Sequence, residues 1–443
     1  GARGRTSPRW GRGGAEMKGA ARQKRSYRIG VVITRLGGDD GVSLETEKWV
    51  EMIHGLGHEC SYFTGEAPGP ADRRWIVPEA DFRHPEILEL YASGFSLRIR
   101  PPDVTRRIHL LKDALKQQLY GFVAGLGIDL LLVENALAIP LNLPLGMALT
   151  EFIAETGVVT IAHHHDLFWE RTRFLVNCVW DYLNMAFPPH LPSIHHVVIN
   201  SSAANQLSLR TGISATLIPN VMDFERPPPM PDAYSGGLRK ELGLADGDLF
   251  LLQPTRVVAR KGIEHSLELI RRLGLPARLV ISHASGDEGY SYERHVRLFA
   301  ELLQVPVTFV SEIIRAERGT GPNGRRIYSL RDAYQQADLV TYPSTVEGFG
   351  NAFLEAVYYR RPIVVNNYSI FAIDIKPKGF RVIEFDGHIT EDTIWQVRKV
   401  LGDPDLAAEM AEHNYSLGRR HYSYGMLRRR LRTLLEECFG EEL

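Results

Sequence analysis

Cysteine is scarce in this chain: Cys60, Cys178 and Cys438 are the three present in 443 residues, and they stand far apart. With no C-x-x-C pair, a structural zinc site or a disulfide framework is not expected, and isolated thiols suit a reducing, cytoplasmic setting. Net charge is also nearly absent, since 52 Lys and Arg against 53 Asp and Glu leave a formal charge of −1. Composition therefore gives no electrostatic argument for a nucleic-acid partner. No long uninterrupted apolar run occurs either. The most apolar stretch, GIDLLLVENALAIPLNLPLGMAL (127–149), is broken by Asp129, Glu134, Pro140 and Pro144. It reads as a strand, a loop and a helix start, so no transmembrane segment is expected. Residues 1–26 are rich in Gly and Arg and lack the apolar centre of a secretory signal, so disorder is the expectation there.

What is present is the composition of an ordinary soluble protein, 44% hydrophobic and 24% charged, in a chain too long for one core. Short apolar runs alternate with helix-length amphipathic segments. YRIGVVIT, IDLLLVEN, GVVTIAHHHD and HHVVINSS read as strands of a first unit. Pro, Gly and charge then crowd PNVMDFERPPPMPDAYSGG (219–237), which marks a connector. DLFLLQPT, ARLVISHA, VPVTFVSEI, ADLVTYPS and RPIVVNN read as strands of a second unit. This alternation predicts an α/β protein of two doubly wound Rossmann-like domains separated by a cleft. The expected organisation is a first domain over 27–222, a connector over 223–247, a second domain over 248–412, and a helical segment over 413–443 packing back on the first domain.

Candidate chemistry gathers at strand ends. In EGFGNAFLE, Glu347 to Glu355, a glycine loop leads into a helix, so backbone N–H groups can approach an anion at its N-terminus. Eight helical residues span about 12 Å, which favours separate tasks for Glu347 and Glu355 over an acid–base pair. Arg256 follows an apolar strand and Lys261 immediately precedes a helix, where the two bases can flank a diphosphate. On the other side, Gly37, Gly38 and Gly41 follow the first strand and can admit a phosphate or sugar, although they do not form the dinucleotide fingerprint G-x-G-x-x-G. His163, His164, His165 and Asp166 follow another apolar strand. Consecutive strand residues alternate faces, so the three imidazoles cannot all point one way and no metal is assigned. Trp169, Glu170, Arg171 and Arg173 fit either an acceptor wall or, slightly better, an amphipathic helix with a solvated charged face. Asp403 to Asp405 reads DPD beside a helix start, where capping suffices as an explanation.

The ordered set PTRVVARKG, TYPSTVEGFGNAFLEAVYYRRPIVV, VVINSSAANQL and IPNVMDFE resembles the family 4 retaining glycosyltransferases of GT-B fold, from about Tyr27 onward. The resemblance implies a nucleotide-diphosphate sugar, UDP-glucose or GDP-mannose, as donor, with no cofactor. Arg256 and Lys261 match the family's diphosphate positions and Glu355 its ribose position. Glu347 matches the position near the donor sugar, with Gly348, Phe349 and Gly350 supplying backbone contacts. The family's histidine near the reacting sugar falls on His163 first and His164 second, with Asp166 beside it. Gly38 then belongs to the donor side, and Gly41, His165, Trp169 and Arg171 to the acceptor. The implied reaction transfers a hexose to a hydroxyl of a small polar molecule or saccharide. A sugar-nucleotide epimerase and a non-catalytic nucleotide-sugar-binding regulator are the alternatives.

Overall fold

The computed structural model describes residues 25–37, 40–67, 70–285, 289–322 and 324–440. The segment expected to be disordered lies outside the described residues except for Arg25 and Ser26, and Gly38 lies outside them as well.

Two parallel sheets organise the chain. The first contains β1 (Arg28–Val32), β2 (Glu59–Thr64), β3 (Arg74–Ile76), β4 (Leu130–Glu134), β5 (Val159–His164), β6 (Ile194–Val198) and β7 (Ala215–Leu217), in the order β3-β2-β1-β4-β5-β6-β7. The second contains β8 (Leu249–Gln253), β9 (Ala277–Ile281), β10 (Val307–Phe309), β14 (Leu339–Tyr342), β15 (Ile363–Asn366) and β16 (Ile383–Phe385), in the order β10-β9-β8-β14-β15-β16. Between β10 and β14 in sequence, β11 (Ile314–Arg315), β12 (Gly319–Thr320) and β13 (Arg326–Ser329) make a small separate sheet. The order reverses between β1 and β4 and again between β8 and β14. Such switch points open a crevice at the carboxyl ends of the strands. Central strands buried on both faces need continuous apolar sequence, and β4, β14 and β15 are buried at every residue.

Each sheet is covered on both faces. Phe63, Phe122, Leu145 and Phe152 pack one side of the first sheet. Its other side packs Trp49 and Ile53 from the helix Gly41–Gly55, together with Leu427, Leu431, Leu434 and Leu435. Those four leucines come from the last helix, Tyr424–Phe439, which follows the second domain in sequence yet covers the first.

Two boundaries differ from the sequence reading. Residues 223–247 hold a helix, Ala233–Glu241, whose start is fixed by a reciprocal Asp232–Ser235 cap and by Arg318, which grips Asp232 and Asp332. This part of the connector is thus packed against the second domain. The break placed at 412/413 falls inside one helix, Pro404–His421, with Asp403 as its cap. The chain crosses back at Tyr422 and Ser423, beside its first crossing: the Met222 N–H donates to the Tyr422 carbonyl at 2.9 Å.

Candidate active site

The second domain's half is built on β8 and β14. After β8, Arg256 is exposed with no carboxylate partner among the described residues, and a short 3-10 turn over Ala259–Lys261 leads into the helix Ile263–Leu273. That turn delivers Lys261 into the interior, where its ammonium meets a Glu347 carboxylate oxygen. Arg260 approaches the other Glu347 oxygen at 3.3 Å. Burial pushes the Lys261 ammonium down; Glu347 opposes this, Arg260 and Arg256 add to it, and the net shift is downward. Burial pushes the Glu347 carboxyl up, but Lys261 and Arg260 outweigh it and hold it below the ordinary range. Contact and charge together describe an ion pair in which a surplus of bases surrounds one acid.

After β14 the loop reaches Gly350, whose φ is 135° and whose added Cβ would strike the Tyr368 hydroxyl. Tyr368 uses that hydroxyl to donate to the Phe349 carbonyl at 2.8 Å, so the loop is pinned where only glycine fits. Gly350 caps the helix Asn351–Tyr358, which places Asn351 in its first turn. One turn on, Glu355 accepts from the Tyr334 hydroxyl at 2.7 Å. Burial pushes its carboxyl up, offset in part by Tyr334 and by Lys48 of the first domain.

The first domain's half lies at the ends of β1, β4 and β5. The histidine triplet divides between faces, as alternation requires. His163 Nδ1 lies 3.0 Å from Glu134 Oε2, and His165 Nε2 lies 3.1 Å from the same oxygen. His163 also stacks on Trp49 at 4.1 Å. His164 turns the other way and pairs with His196 at 2.9 Å, so it is set apart from Glu134. Burial pushes the Glu134 carboxyl up, but the two imidazoles outweigh it and bring it down to about 2. Burial lowers His165 as well, yet Glu134 more than restores it, while His163 stays lowered. Glu134, His163 and His165 bring three possible ligand atoms within 4.8 Å, the one such cluster among the described residues, and here both imidazoles hydrogen-bond the Glu134 carboxylate.

The expected helix around Trp169 is replaced by two short 3-10 turns, Phe168–Glu170 and Thr172–Phe174. Leu167, Phe168 and Phe174 are buried there. Trp169 donates its indole N–H to Gln206 at 2.8 Å, and Arg210 covers its ring. Arg171 pairs with Asp166 at 2.7 Å. Trp169 is therefore drawn into packing within its own domain, and Arg171 orients Asp166.

The two halves meet. A methyl group at Gly348 would sit 3.5 Å from the His165 carbonyl oxygen and 3.8 Å from Asp166 Oδ1. Asn200 Nδ2 donates to the Gly348 carbonyl at 2.7 Å, and Asn220 Nδ2 donates to Asn351 Oδ1 at 2.7 Å. A methyl at Gly41 would lie 3.6 Å from Asn351. The loop at 347–350 thus faces His165 and Asp166, with Gly41 at the helix end of the same cleft. Sequence reading missed Glu134, Asn200, Arg260, Tyr334 and Tyr368. The one local signal was a carboxylate ending the apolar run LLLVE; the others depend on distant segments.

Two doubly wound domains with functional loops facing across a cleft define the GT-B class. Residues 325–417 match the glycosyl transferases group 1. The chain is 30% identical over 438 residues to the mannosylglucosylglycerate synthase of Thermotoga maritima, covering 89% of this chain and 96% of that protein. A glycosyltransferase from Rickettsia africae superposes with a TM-score of 0.66 at 13% identity, over 94% of this chain and 99% of that one. Anabaena HepE, solved with UDP-glucose, gives 0.62 at 12% identity over 93% and 99%. The chain belongs to the group 1 glycosyltransferases, of the family 4 type, and is an enzyme of glycosyl transfer.

Proposed function

We propose that this enzyme moves a hexose, with retention at the anomeric carbon, from a nucleotide-diphosphate sugar to a hydroxyl of a small, polar, sugar-containing acid. The observation that carries the reading is the meeting of the Gly348 loop with His165 and Asp166, beside the Lys261–Glu347 pair. Arg256, Lys261 and the N-terminus of the Asn351 helix offer positive potential to a departing diphosphate. Donor binding releases Lys261 from Glu347 toward phosphate and frees Glu347 for sugar hydroxyls. Glu355, one turn along, takes the ribose. Backbone at Phe349 and Gly350 lines the sugar, and His163, His165 and Asp166 bound the reacting centre from the acceptor side.

GDP-mannose is the favoured donor and a glucosylglycerate-like acceptor the favoured partner, because the Thermotoga maritima relative is named for a mannosyl-glucosyl-glycerate product. The test is a matrix of UDP-glucose, GDP-mannose and other sugar nucleotides against glycerate glycosides and neutral sugars, with product NMR. Acceptor-dependent nucleotide release and a new glycoside of unchanged anomeric configuration are expected. Isomerised donor without glycoside, or tight donor binding with no product, overturns the reading in favour of an epimerase or a regulator respectively.

A further inference from the structure

Glu134 ends a strand in which every residue is buried, and its own exposure is 1%. A carboxylate in such a place is costly unless its charge is met, which directs attention to what it holds. It pairs in register with His163 on β5, and its single oxygen Oε2 serves both His163 and His165. A carboxylate only accepts, so His163 must present Nδ1–H and His165 must present Nε2–H. Both tautomers are thereby chosen from β4. His163 Nε2 is left buried without a hydrogen-bond partner in the described structure.

Asn135, the next residue, continues the grip. It adopts φ 58°, donates its N–H to the His163 carbonyl at 2.9 Å, and accepts through Oδ1 from the His165 N–H at 3.0 Å and the Asp166 N–H at 3.4 Å. The rings of His163 and His165 and the backbone of His163, His165 and Asp166 are therefore held by Glu134, the last residue of β4, and Asn135, which follows it. The segment held in this way faces Gly348 through the His165 carbonyl oxygen and Asp166 Oδ1.

We propose that Glu134, assisted by Asn135, is a positioning residue for glycosyl transfer: it sets the imidazole tautomers at the end of β5 and so places His165 and Asp166 against the sugar-binding loop. This rests on the proposed transfer at this cleft. The titratable and charged groups around the clamp are His163 on β5, His165 just after it, Glu45 on the helix Gly41–Gly55, and Asp166 with its partner Arg171. A misplacement of about 1 Å at a reacting centre costs on the order of 100-fold in rate, so a positioning group of this kind acts on kcat.

Glu134→Gln keeps volume but removes the negative charge that both imidazole N–H groups meet at Oε2, and a neutral amide oxygen in its place holds them more weakly. The expected result is a kcat lowered by about 10- to 100-fold with donor KM within roughly 3-fold of wild type. Glu134→Asp should recover part of the loss. Nitrogen-15 NMR of the histidine rings in the substrate-free protein should show Nδ1–H on His163 in wild type and a changed pattern in Glu134→Gln. Asn135→Gly preserves the left-handed backbone and removes the side chain that carries Oδ1, so it tests the same grip if Glu134→Gln does not fold; the same kcat loss at steady KM is expected. A Glu134→Gln or Asn135→Gly enzyme with wild-type kcat overturns the proposal, as does a wild-type spectrum without Nδ1–H on His163. Wild-type protein that transfers from no sugar nucleotide would overturn the proposed function instead, while the ring spectra would still decide the clamp.

Discussion

At the residue scale, the informative feature is an acid and a base that neutralise each other where a phosphate and a sugar are expected to bind. Lys261 is buried and the Glu347 side chain is only 10% exposed, so either one alone would be costly there. Arg260 makes the set asymmetric: losing Glu347 leaves two unpaired bases, whereas losing Lys261 leaves Glu347 with one partner. Lys261→Ala should therefore fold, and its kcat/KM for the donor should fall by about 100-fold or more. Circular dichroism with steady-state kinetics checks both halves. Glu355→Ala should act differently, raising donor KM more than it lowers kcat, because a ribose contact is made equally in ground and transition states. Unchanged donor affinity and transfer in both variants would remove Lys261 and Glu355 from the site.

Gly350 gives a prediction of another kind. Its φ of 135° is open to glycine and strained for other residues, and the Tyr368 hydroxyl fills the space a side chain needs. Gly350→Ala should lose about 2 kcal/mol or more of stability and most activity. Gly350→Ala,Tyr368→Phe removes the hydroxyl but leaves the backbone strain, so it should recover only part of each. Full recovery in denaturant titrations and assays would show that the clash alone mattered.

At the scale of elements, the β5–β6 pair carries a pH dependence. His164 and His196 share a buried hydrogen bond on the face away from Glu134. Burial and the nearby His190 bring His196 down to about 4, and burial with His196 holds His164 well below the ordinary histidine range. Depressed histidines are neutral when folded and take up protons on unfolding. The unfolded state therefore binds more protons as pH falls below about 6.5, and stability drops between about pH 6.5 and 4. The shift of His196 alone corresponds to on the order of 3 kcal/mol across that window. Urea titrations should show His196→Asn flattening this slope while leaving the region above pH 7 little changed. An identical slope in the variant would place the titration elsewhere.

The same two strands show what sequence could reveal. Strands β4, β5, β8, β14 and β15 were readable because burial on both faces demands unbroken apolar runs. Strands β3, β7 and β16 are three residues each, and β2 reads ECSYFT, so these edge or near-edge segments carry little periodic signal. The segment from Glu347 to Glu355 was legible because strand end, glycine loop and helix are consecutive. Glu134 and His163 are 29 positions apart, and Asn200 and Gly348 are 148 apart. Those contacts depend on strand register and domain closure, which no local pattern specifies. Alternation did foretell that the three histidines would divide, although not that Glu134 would collect two of them.

At the scale of the whole molecule, the last helix makes the domains interdependent. It follows the second domain in sequence but fills the first domain's core with Leu427, Leu431, Leu434 and Leu435, all buried. Full burial of each is worth roughly 1.5–3 kcal/mol, a large part of the stability of an ordinary domain. The crossings at Met222 and Tyr422 are tied to each other, so the helix is anchored where it leaves the second domain. Leu431→Ala should therefore cost about 2–5 kcal/mol, and the loss should fall on the first domain although the mutation lies near the chain's end. Hydrogen exchange resolved by peptide is the direct measurement: β1 and the helix Gly41–Gly55 should exchange faster, while β8 and β14 keep their protection. Equal acceleration in both sheets would mean that the two domains unfold as one cooperative unit. Acceleration confined to the last helix would mean that it is an ornament on a self-sufficient domain. The first outcome also bears on catalysis, because Glu134, His163 and Trp49 share the layer that this helix covers, so Leu431→Ala should weaken transfer without touching the donor loop.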